Sequence, residues 1–251
     1  MLRDYDDASP THDVSDALTI SVSIMSHLFT AFFCLLLAFP AWAVDLVYLN
    51  TPAGAERLVA AKFKQHFFFV QPYVESQQNL AFCGPASIAS TLNSLDIPRP
   101  AAGPLFPYRF FTQENIFTPA TQRIKSATQV SLSGMTLAEV TAFFNVLGVK
   151  ATSYYADQLN LDQLRTLIRA ALEGPKTRIL VNYSRKPLGQ AGGGHVSPLG
   201  AYDENTDSVL LLDVAKFKYP PVWIALTDLL AAVSTTDTDS GKSRGIVVVT
   251  Q

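Results

Sequence analysis

The amino-acid sequence predicts an α+β fold in which most helices precede most strands. Three observations support this prediction. Apolar residues recur at helical spacing over residues 54–67 and again after Cys83. Short apolar and β-branched runs follow at 178–183 and 208–214, bounded by turn residues. Strands and helices do not alternate regularly, as they would in a βαβ fold.

The composition indicates one globular domain. The 251 residues are 48% hydrophobic, which suffices for a single sizeable core. The formal net charge is −2 and no basic run is present, so a nucleic-acid partner is not expected. We therefore expect residues 44–251 to form a single domain.

Residues 1–43 have the pattern of a secretory signal region. Residues 28–39 are nearly all apolar, and Ala41-Trp42-Ala43 is a small-x-small cleavage site. The acidic extreme N-terminus fits this pattern poorly, so Met25 is a candidate for the true start. The protein is expected to be exported to the periplasm, with no stable membrane association after cleavage. The alternative is an uncleaved membrane anchor over residues 17–43, although polar residues dilute that stretch.

The other elements are predicted from caps, breakers and apolar runs. Residues 67–70 form an aromatic run that is typical of a buried strand or core segment. The helix after Cys83 is expected to end at Asp96, ahead of several prolines. The later elements are a helix and loops within 105–135, a helix at 136–147 with a capping box, a strand at 149–155, a helix at 161–172 capped by Asn160, and the strand at 178–183.

Cys83 lies where a loop leads into a helix, and Pro85 stands in the first turn of that helix. A helix N-terminus carries partial positive charge and unpaired N–H groups, which favour the thiolate form of a cysteine. Gln77, six positions upstream, is a candidate donor to an oxyanion formed at Cys83. The alternative is that Cys83 is a small apolar residue buried at a helix start.

The cysteine count favours a reactive Cys83. The sequence contains 2 cysteines. Cys34 lies inside the apolar segment that is predicted to be removed. Cys83 would then be the only thiol of an exported protein, without a disulfide partner. A lone cysteine in that compartment indicates a free reactive thiol.

A hairpin in the second half of the chain predicts a base for this thiol. Two strand-like runs flank a turn cluster centred on Asn205. Centring the hairpin there places Asp213 opposite Ser197, with His195 as the diagonal neighbour on the same face. We expect the Asp213 carboxylate to hydrogen bond to His195. That bond fixes the tautomer of the imidazole and leaves its other nitrogen to act as a base.

Structural roles are the alternatives for both residues. His195 could be a satisfied structural histidine, and Asp213 a carboxylate at a strand end. A buried apolar strand that ends in an aspartate needs a partner for the charge, which favours the pair. His66 lies in an aromatic run and is predicted to pack in the core. Residues 192–194 are glycines, which let a backbone approach a substrate closely.

Two parts of the chain resemble known proteins. Residues 77–95 are similar to the catalytic-cysteine segment of papain-like cysteine transferases and peptidases. Residues 185–198, with Gly194-His195-Val196-Ser197-Pro198, resemble the phytochelatin synthase family, and so does the segment 213–223. The resemblance covers residues 48–249, nearly all of the chain that follows the predicted signal region.

The resemblance implies a papain-like fold, with the nucleophile at a helix N-terminus and the histidine and aspartate on adjacent antiparallel strands. It implies a catalytic triad of Cys83, His195 and Asp213, with Gln77 as oxyanion donor. The implied substrate is glutathione, cut at its Cys–Gly bond with release of glycine and formation of γ-Glu-Cys or phytochelatin. Because the chain stops at Gln251 without a Cys-rich C-terminal half, it resembles the short bacterial members, which act more as glutathione hydrolases.

Glutathione carries two carboxylates, so its pocket should contain arginine or lysine. Arg244 is the first candidate for substrate binding, and Asn182 and Arg185 are further candidates. No cofactor is expected to be required. No metal site is predicted either, since one cysteine and two histidines cannot form a zinc cage without carboxylates. A divalent metal such as cadmium or zinc is expected to act as its glutathione thiolate complex.

Two other functions stay open at the level of sequence. An exported papain-like cysteine peptidase would use the same triad on an extended cleft without a carboxylate clamp. An inactive protein would instead bind glutathione or metal thiolates. Glycine release from glutathione distinguishes all three.

Overall fold

The structure is a computed structural model that describes residues 44–251. Within that range, seven strands form one antiparallel sheet: β1 (Val47–Tyr48), β2 (Lys150–Tyr155), β3 (Thr177–Ser184), β4 (Gly194–Asp203), β5 (Ser208–Leu211), β6 (Val222–Ala225) and β7 (Gly245–Thr250). Their order across the sheet is β1-β6-β5-β4-β3-β7-β2. Five of the seven α-helices in this range precede six of the seven strands, so the predicted α+β class is confirmed.

Seven α-helices accompany the sheet within the described range. They are α1 (Pro52–Ala60), α2 (Gln65–Val70), α3 (Cys83–Asn93), α4 (Ala127–Ser133), α5 (Leu137–Val146), α6 (Leu161–Glu173) and α7 (Leu226–Val233). The predicted cap at Thr136 is present, with Glu139 completing a capping box, and Asn160 caps α6 in the same way with Gln163.

The predicted signal region, 1–43, lies outside the described residues, together with Met25, Cys34 and the cleavage site. Export and signal cleavage therefore stay predictions. Between residues 44 and 251, no helix has both the length and the apolar composition needed to cross a bilayer.

The aromatic run at 67–70 is helical, and the strand interpretation of it was wrong. It forms most of α2, which Lys64 precedes. The single helix predicted over 54–67 is instead divided into α1 and α2. The division occurs at Phe63, which leaves helical geometry to pair with Tyr202 in an isolated β-bridge. A short apolar run does not separate helix from strand by its periodicity, which explains the error.

The sheet has a separate apolar core on each face. On β3, Leu180 faces the core formed with α3 and α5, whereas Ile179 and Val181 face the core formed with α6 and α7. The first core includes Ile88, Leu92, Val140, Phe143 and Val196, and the second includes Leu164, Ile168, Leu199, Leu229 and Val233. Packing against β4 therefore fixes α3, and with it Cys83, against the strand that carries His195.

Arg178 ties the C-terminal end of α3 to β3. Its side chain is only 3% exposed. It donates to the Ser94 carbonyl at 2.5 Å and to the Ser94 hydroxyl at 2.8 Å. It also donates to the carbonyls of Pro175 and Thr177 and lies 4.7 Å from the centre of the Phe69 ring. Burial lowers its pKa to about 10. Because Ser94 follows the last turn of α3, the positive charge also complements the negative end of that helix.

Replacing Arg178 with alanine should lower the free energy of unfolding by about 2–3 kcal/mol, because the carbonyls that it bonds lose a charged donor. Thermal unfolding followed by circular dichroism should show a fall in Tm of roughly 5–10 °C for a domain of this size. Arg123→Ala is the control, because Arg123 is exposed. Equal Tm values for the two variants would contradict this role of Arg178.

Candidate active site

Cys83 is the first residue of α3 and is 7% exposed. Pro85 lies in the first turn, as predicted, where a missing N–H costs no hydrogen bond. Gly84 allows Met135 to pack against this turn, since a Cβ atom there would lie 2.7 Å from the methionine sulfur. The thiol is therefore held at the positive end of a fully buried helix.

His195 and Asp213 approach each other beside this thiol. The predicted hydrogen bond between them is present, with His195 Nε2 donating to Asp213 Oδ1 at 2.9 Å. The backbone N–H of Ala215 also donates to Oδ1, at 2.8 Å. Because Nε2 is used by Asp213, Nδ1 is the ring nitrogen left for Cys83, which lines the same cavity as His195. Cys83, His195 and Asp213 thus lie in a row, with the imidazole interacting with both the thiol and the carboxylate.

The hairpin register differs from the prediction close to the turn. Leu199 pairs with Leu211 as predicted, but a bulge at Gly200 shifts the pairs nearer the turn by one position, and Ala201 pairs with Leu210. The return strand also ends at Leu211 rather than at residue 214. Asp213 therefore lies just beyond β5. It still reaches His195 because the strands keep the predicted register on the side of the bulge that is away from the turn.

The electrostatics favour an ionised pair of Cys83 and His195. Burial raises the pKa of the Cys83 thiol, but the hydrogen bond and the charge of His195 outweigh it and lower the pKa below its usual value. Burial lowers the pKa of His195, but bonds to Asp213 and Cys83 outweigh it and raise the pKa. The pKa of Asp213 is lowered, since His195 and the Arg185 charge together exceed the effect of its burial.

Gln77 lines a cavity of about 230 Å³ that opens beside His195. Its backbone N–H donates to the Val214 carbonyl at 2.9 Å. Its side-chain Nε2 donates to the Asn79 carbonyl at 2.7 Å. That contact uses one of the two amide hydrogens and fixes the direction of the other. The structure therefore places Gln77 at the edge of the site, and its predicted role as oxyanion donor stays a prediction.

Arg244 and Asn182 lie together in a second cavity, of about 180 Å³, which Cys83 and His195 also line. Arg244 Nη1 donates to Asn182 Oδ1 at 3.0 Å, and Nη2 lies 3.6 Å from a carboxylate oxygen of Asp237. Arg244 Nε is buried and has no hydrogen-bond partner among the described residues. A Cβ atom at Gly194 would lie 2.6 Å from Nη1, so glycine is required there for the guanidinium to lie against β4.

This second cavity contains residues that sequence reasoning missed. Five of its lining residues were not among the predicted site residues: Ser133, Met135, Asp237, Thr238 and Asp239. The sequence signal was weak, because Asp-Thr-Asp-Ser-Gly at 237–241 is an ordinary turn composition. The cavity therefore presents one guanidinium and two carboxylates within reach of the same ligand.

Arg185, the third predicted substrate-binding residue, lies elsewhere. Its guanidinium pairs with the Asp213 carboxylate at 2.7 Å and donates to Gln190 Oε1, also at 2.7 Å. It is absent from the lining of the cavity that holds Arg244 and lines the cavity beside Gln77. The structure therefore brings Arg244 and Asn182 together but gives Arg185 an internal partner that the sequence did not indicate.

His66 lies outside this site. His66 is buried, packs against Phe69 and bonds to the Gly174 carbonyl at 3.0 Å, so its predicted packing role is confirmed. Burial lowers its pKa to about 4.

Over residues 44–251, no three side chains of the His, Cys, Asp and Glu types are grouped so as to hold a metal ion. A larger groove of about 550 Å³ runs along α6, distant in sequence from the Cys83 turn, with a mainly apolar lining.

Comparison with known proteins agrees with the family resemblance that the sequence shows. The model of the family described as Phytochelatin synthase matches residues 41–246. The chain is 34% identical over 187 residues to Glutathione gamma-glutamylcysteinyltransferase 1 of Triticum aestivum, a match that covers 74% of this chain and 36% of that protein. It is 26% identical over 251 residues to Glutathione gamma-glutamylcysteinyltransferase of Schizosaccharomyces pombe, covering 99% of this chain and 58% of that protein. The chain thus spans about a third to three fifths of the length of these relatives.

Proposed function

The chain belongs to the phytochelatin synthase family, and from that premise we propose that it is a glutathione γ-glutamylcysteinyltransferase or hydrolase that works through a thioester on Cys83. The observation that carries the proposal is the row formed by Cys83, His195 and Asp213 beside the cavity that contains Arg244. We further propose that the α+β fold is of the papain-like type. The thiol at the start of α3 and the histidine on β4 support that proposal.

Acylation begins from the Cys83 thiolate and the His195 imidazolium. The thiolate sulfur attacks the carbonyl carbon of the Cys–Gly bond, and the negative charge moves to the carbonyl oxygen. The free N–H groups at the start of α3 and the Gln77 amide stabilise that oxyanion. His195 then gives its proton to the glycine nitrogen, the C–N bond breaks and glycine leaves. The γ-Glu-Cys acyl group stays on the sulfur as a thioester.

Deacylation restores the enzyme. Water, or the amino group of a second glutathione, attacks the thioester carbonyl while His195 accepts a proton from the nucleophile. The C–S bond breaks and the Cys83 thiolate is regenerated next to the imidazolium. Attack by water gives γ-Glu-Cys, and attack by glutathione gives the longer phytochelatin peptide. Asp213 stabilises the imidazolium in both halves of the reaction.

The cavity lined by Arg244 fits the γ-glutamyl end of glutathione, which carries a carboxylate and an ammonium group on one carbon. Arg244 would bind the carboxylate, since its Nε has no partner among residues 44–251 and Asn182 fixes its Nη1. Asp237 and Asp239 would accept hydrogen bonds from the ammonium group. A general peptidase has no need for such a pair of opposite charges beside its thiol, which favours glutathione over an ordinary peptide.

Arg244→Ala should lower kcat/KM for glutathione by about one to two orders of magnitude, because a hydrogen bond to a charged group contributes about 1.5–3 kcal/mol. Arg244→Lys should recover little, since lysine lacks the planar two-pronged contact. Steady-state glycine release measures both variants, and Arg123→Ala, a change at an exposed arginine, is the matched control.

Glutathione amidated at the γ-glutamyl α-carboxylate tests the same contact from the side of the ligand. Wild type should discriminate strongly against the amide, and Arg244→Ala should have lost most of that preference. If both enzymes show the same ratio of rates for the two substrates, Arg244 does not bind this carboxylate.

Incubation of the protein with glutathione tests the proposed function as a whole. Glycine release with formation of γ-Glu-Cys or phytochelatin supports it, and the ratio of the two products measures the partition between water and glutathione. Repeating the incubation with cadmium or zinc shows whether the metal–glutathione thiolate is the better acceptor. Cleavage of ordinary peptides at rates equal to those for glutathione would favour a peptidase. Absence of any product would favour an inactive binding protein.

A further inference from the structure

Arg185, which follows the last residue of β3, contacts the aspartate of the proposed triad. Its side chain is 3% exposed, and that of its partner Asp213 is fully buried. Nη2 of Arg185 donates to Asp213 Oδ1 at 2.9 Å and lies 2.7 Å from Oδ2. Oδ1 is also the oxygen that accepts the hydrogen bond from His195. One guanidinium nitrogen therefore spans the carboxylate that orients the histidine.

Arg185 is itself held from several sides. Nη1 donates to Gln190 Oε1 at 2.7 Å, and the guanidinium lies 5.0 Å from the centre of the Tyr219 ring and 5.8 Å from that of Tyr183. Its backbone N–H donates to the Gly193 carbonyl at 3.0 Å. Such support leaves the guanidinium little freedom to turn toward a ligand.

Charge balance explains why an arginine is needed at this position. The Cys83 thiolate, the His195 imidazolium and the Asp213 carboxylate together carry one uncompensated negative charge in a buried site. Arg185 makes the row neutral, with charges that alternate in sign along it. Without the positive charge of Arg185, burial would favour the protonated form of Asp213. A neutral carboxyl group no longer stabilises the imidazolium of His195.

We propose that Arg185 is a positioning residue that fixes the orientation and the charge of Asp213 and thereby maintains the ionised pair of Cys83 and His195. Its role in turnover rests on the proposed function, but the ionised pair itself can be measured without glutathione. The titratable and charged groups that face Asp213 and Arg185 are His195, Cys83, Tyr183, Tyr219 and Lys218.

The competing role is contact with a substrate, because Arg185 and Lys218 both line the cavity beside Gln77. The two roles predict different losses. A positioning residue affects the thiol itself and the acylation step, whichever acceptor follows. A residue that binds only the acceptor leaves the thiol and glycine release to water unchanged and affects the transfer product alone.

The test is the rate at which iodoacetamide alkylates Cys83 as a function of pH, followed by mass spectrometry of the peptide that contains Cys83 so that Cys34 does not contribute. Wild type should reach half of its maximal rate at a lower pH than a free cysteine does, since the hydrogen bond and charge of His195 lower the pKa of Cys83. At a pH below that midpoint, Arg185→Gln should react at least about tenfold more slowly than wild type, since each unit of rise in the thiol pKa reduces the thiolate fraction there tenfold. Arg185→Lys keeps the charge and should restore much of the rate, which separates this role from misfolding of the Gln variant.

Lys218→Gln is the matched control for the same cavity, and it should leave the alkylation profile at its wild-type position. Arg185→Gln should also lower glycine release by about tenfold or more when water is the only acceptor. If both Arg185 variants keep the wild-type alkylation profile, the positioning role is overturned. If wild type releases no glycine while Arg185→Gln still shifts the profile, the proposed function fails and the positioning role stands.

Discussion

Replacing Cys83 with serine should lower glycine release from glutathione by at least about 10³-fold, because removal of a nucleophile from a catalytic triad costs several orders of magnitude. A serine hydroxyl at the start of α3 stays protonated at neutral pH. The stabilisation that His195 gives to a thiolate therefore does not produce an alkoxide there. The measurement is the rate of glycine release at saturating glutathione.

Two controls accompany this variant. Thermal unfolding should show a Tm close to that of wild type, since the hydroxyl fits the space of the buried thiol. Cys34→Ser should leave the rate unchanged, because Cys34 lies in the segment that is predicted to be removed. A loss of less than about tenfold in a folded Cys83→Ser protein would exclude Cys83 as the nucleophile.

Replacing Asp213 with asparagine should lower kcat on the order of 10²-fold or more. The amide can still accept a hydrogen bond from His195 Nε2, but it carries no charge to stabilise the imidazolium that protonates glycine. The same change leaves the Arg185 guanidinium buried without its carboxylate. Loss of one partner of a buried pair typically costs about 3–5 kcal/mol of stability, so the variant should also unfold at a lower temperature.

Asp162→Asn is the control for a loss of charge alone, because the Asp162 side chain is exposed. The rates are compared at a temperature where circular dichroism shows each variant to be folded. A second replacement, Arg185→Gln in the Asp213→Asn background, should recover part of the lost stability, since it removes the unpaired charge. A kcat near that of wild type in folded Asp213→Asn would contradict the orienting role of the carboxylate.

The parts of the site that sequence reasoning predicted are those governed by local rules. Pro85 and the apolar spacing after Cys83 specify a helix start, and a helix start always presents the same N–H groups. The turn cluster around Asn205 fixed the pairing of the hairpin closely enough to bring Asp213 to His195. The bulge at Gly200 was not predicted, because the composition of the turn does not specify one.

The parts that were missed depend on contacts between distant segments. Arg185 and Asp213 are 28 positions apart, and no periodicity relates an arginine after β3 to a carboxylate after β5. The order of the strands, with β7 between β3 and β2, likewise follows from packing of two helix layers rather than from chain order. Residues 67–70 form a helix because their place beside β4 decides between two conformations that the sequence allows equally.

During turnover, the γ-Glu-Cys group is proposed to be carried on the sulfur of Cys83. The most direct test is the intact mass of the protein after millisecond mixing with glutathione and quenching in acid, which preserves thioesters. Wild type should gain the mass of one γ-Glu-Cys acyl group, peptide mapping should place it on Cys83, and Cys83→Ser should gain nothing. Release of one equivalent of glycine per enzyme with no added mass on Cys83 would contradict the claim.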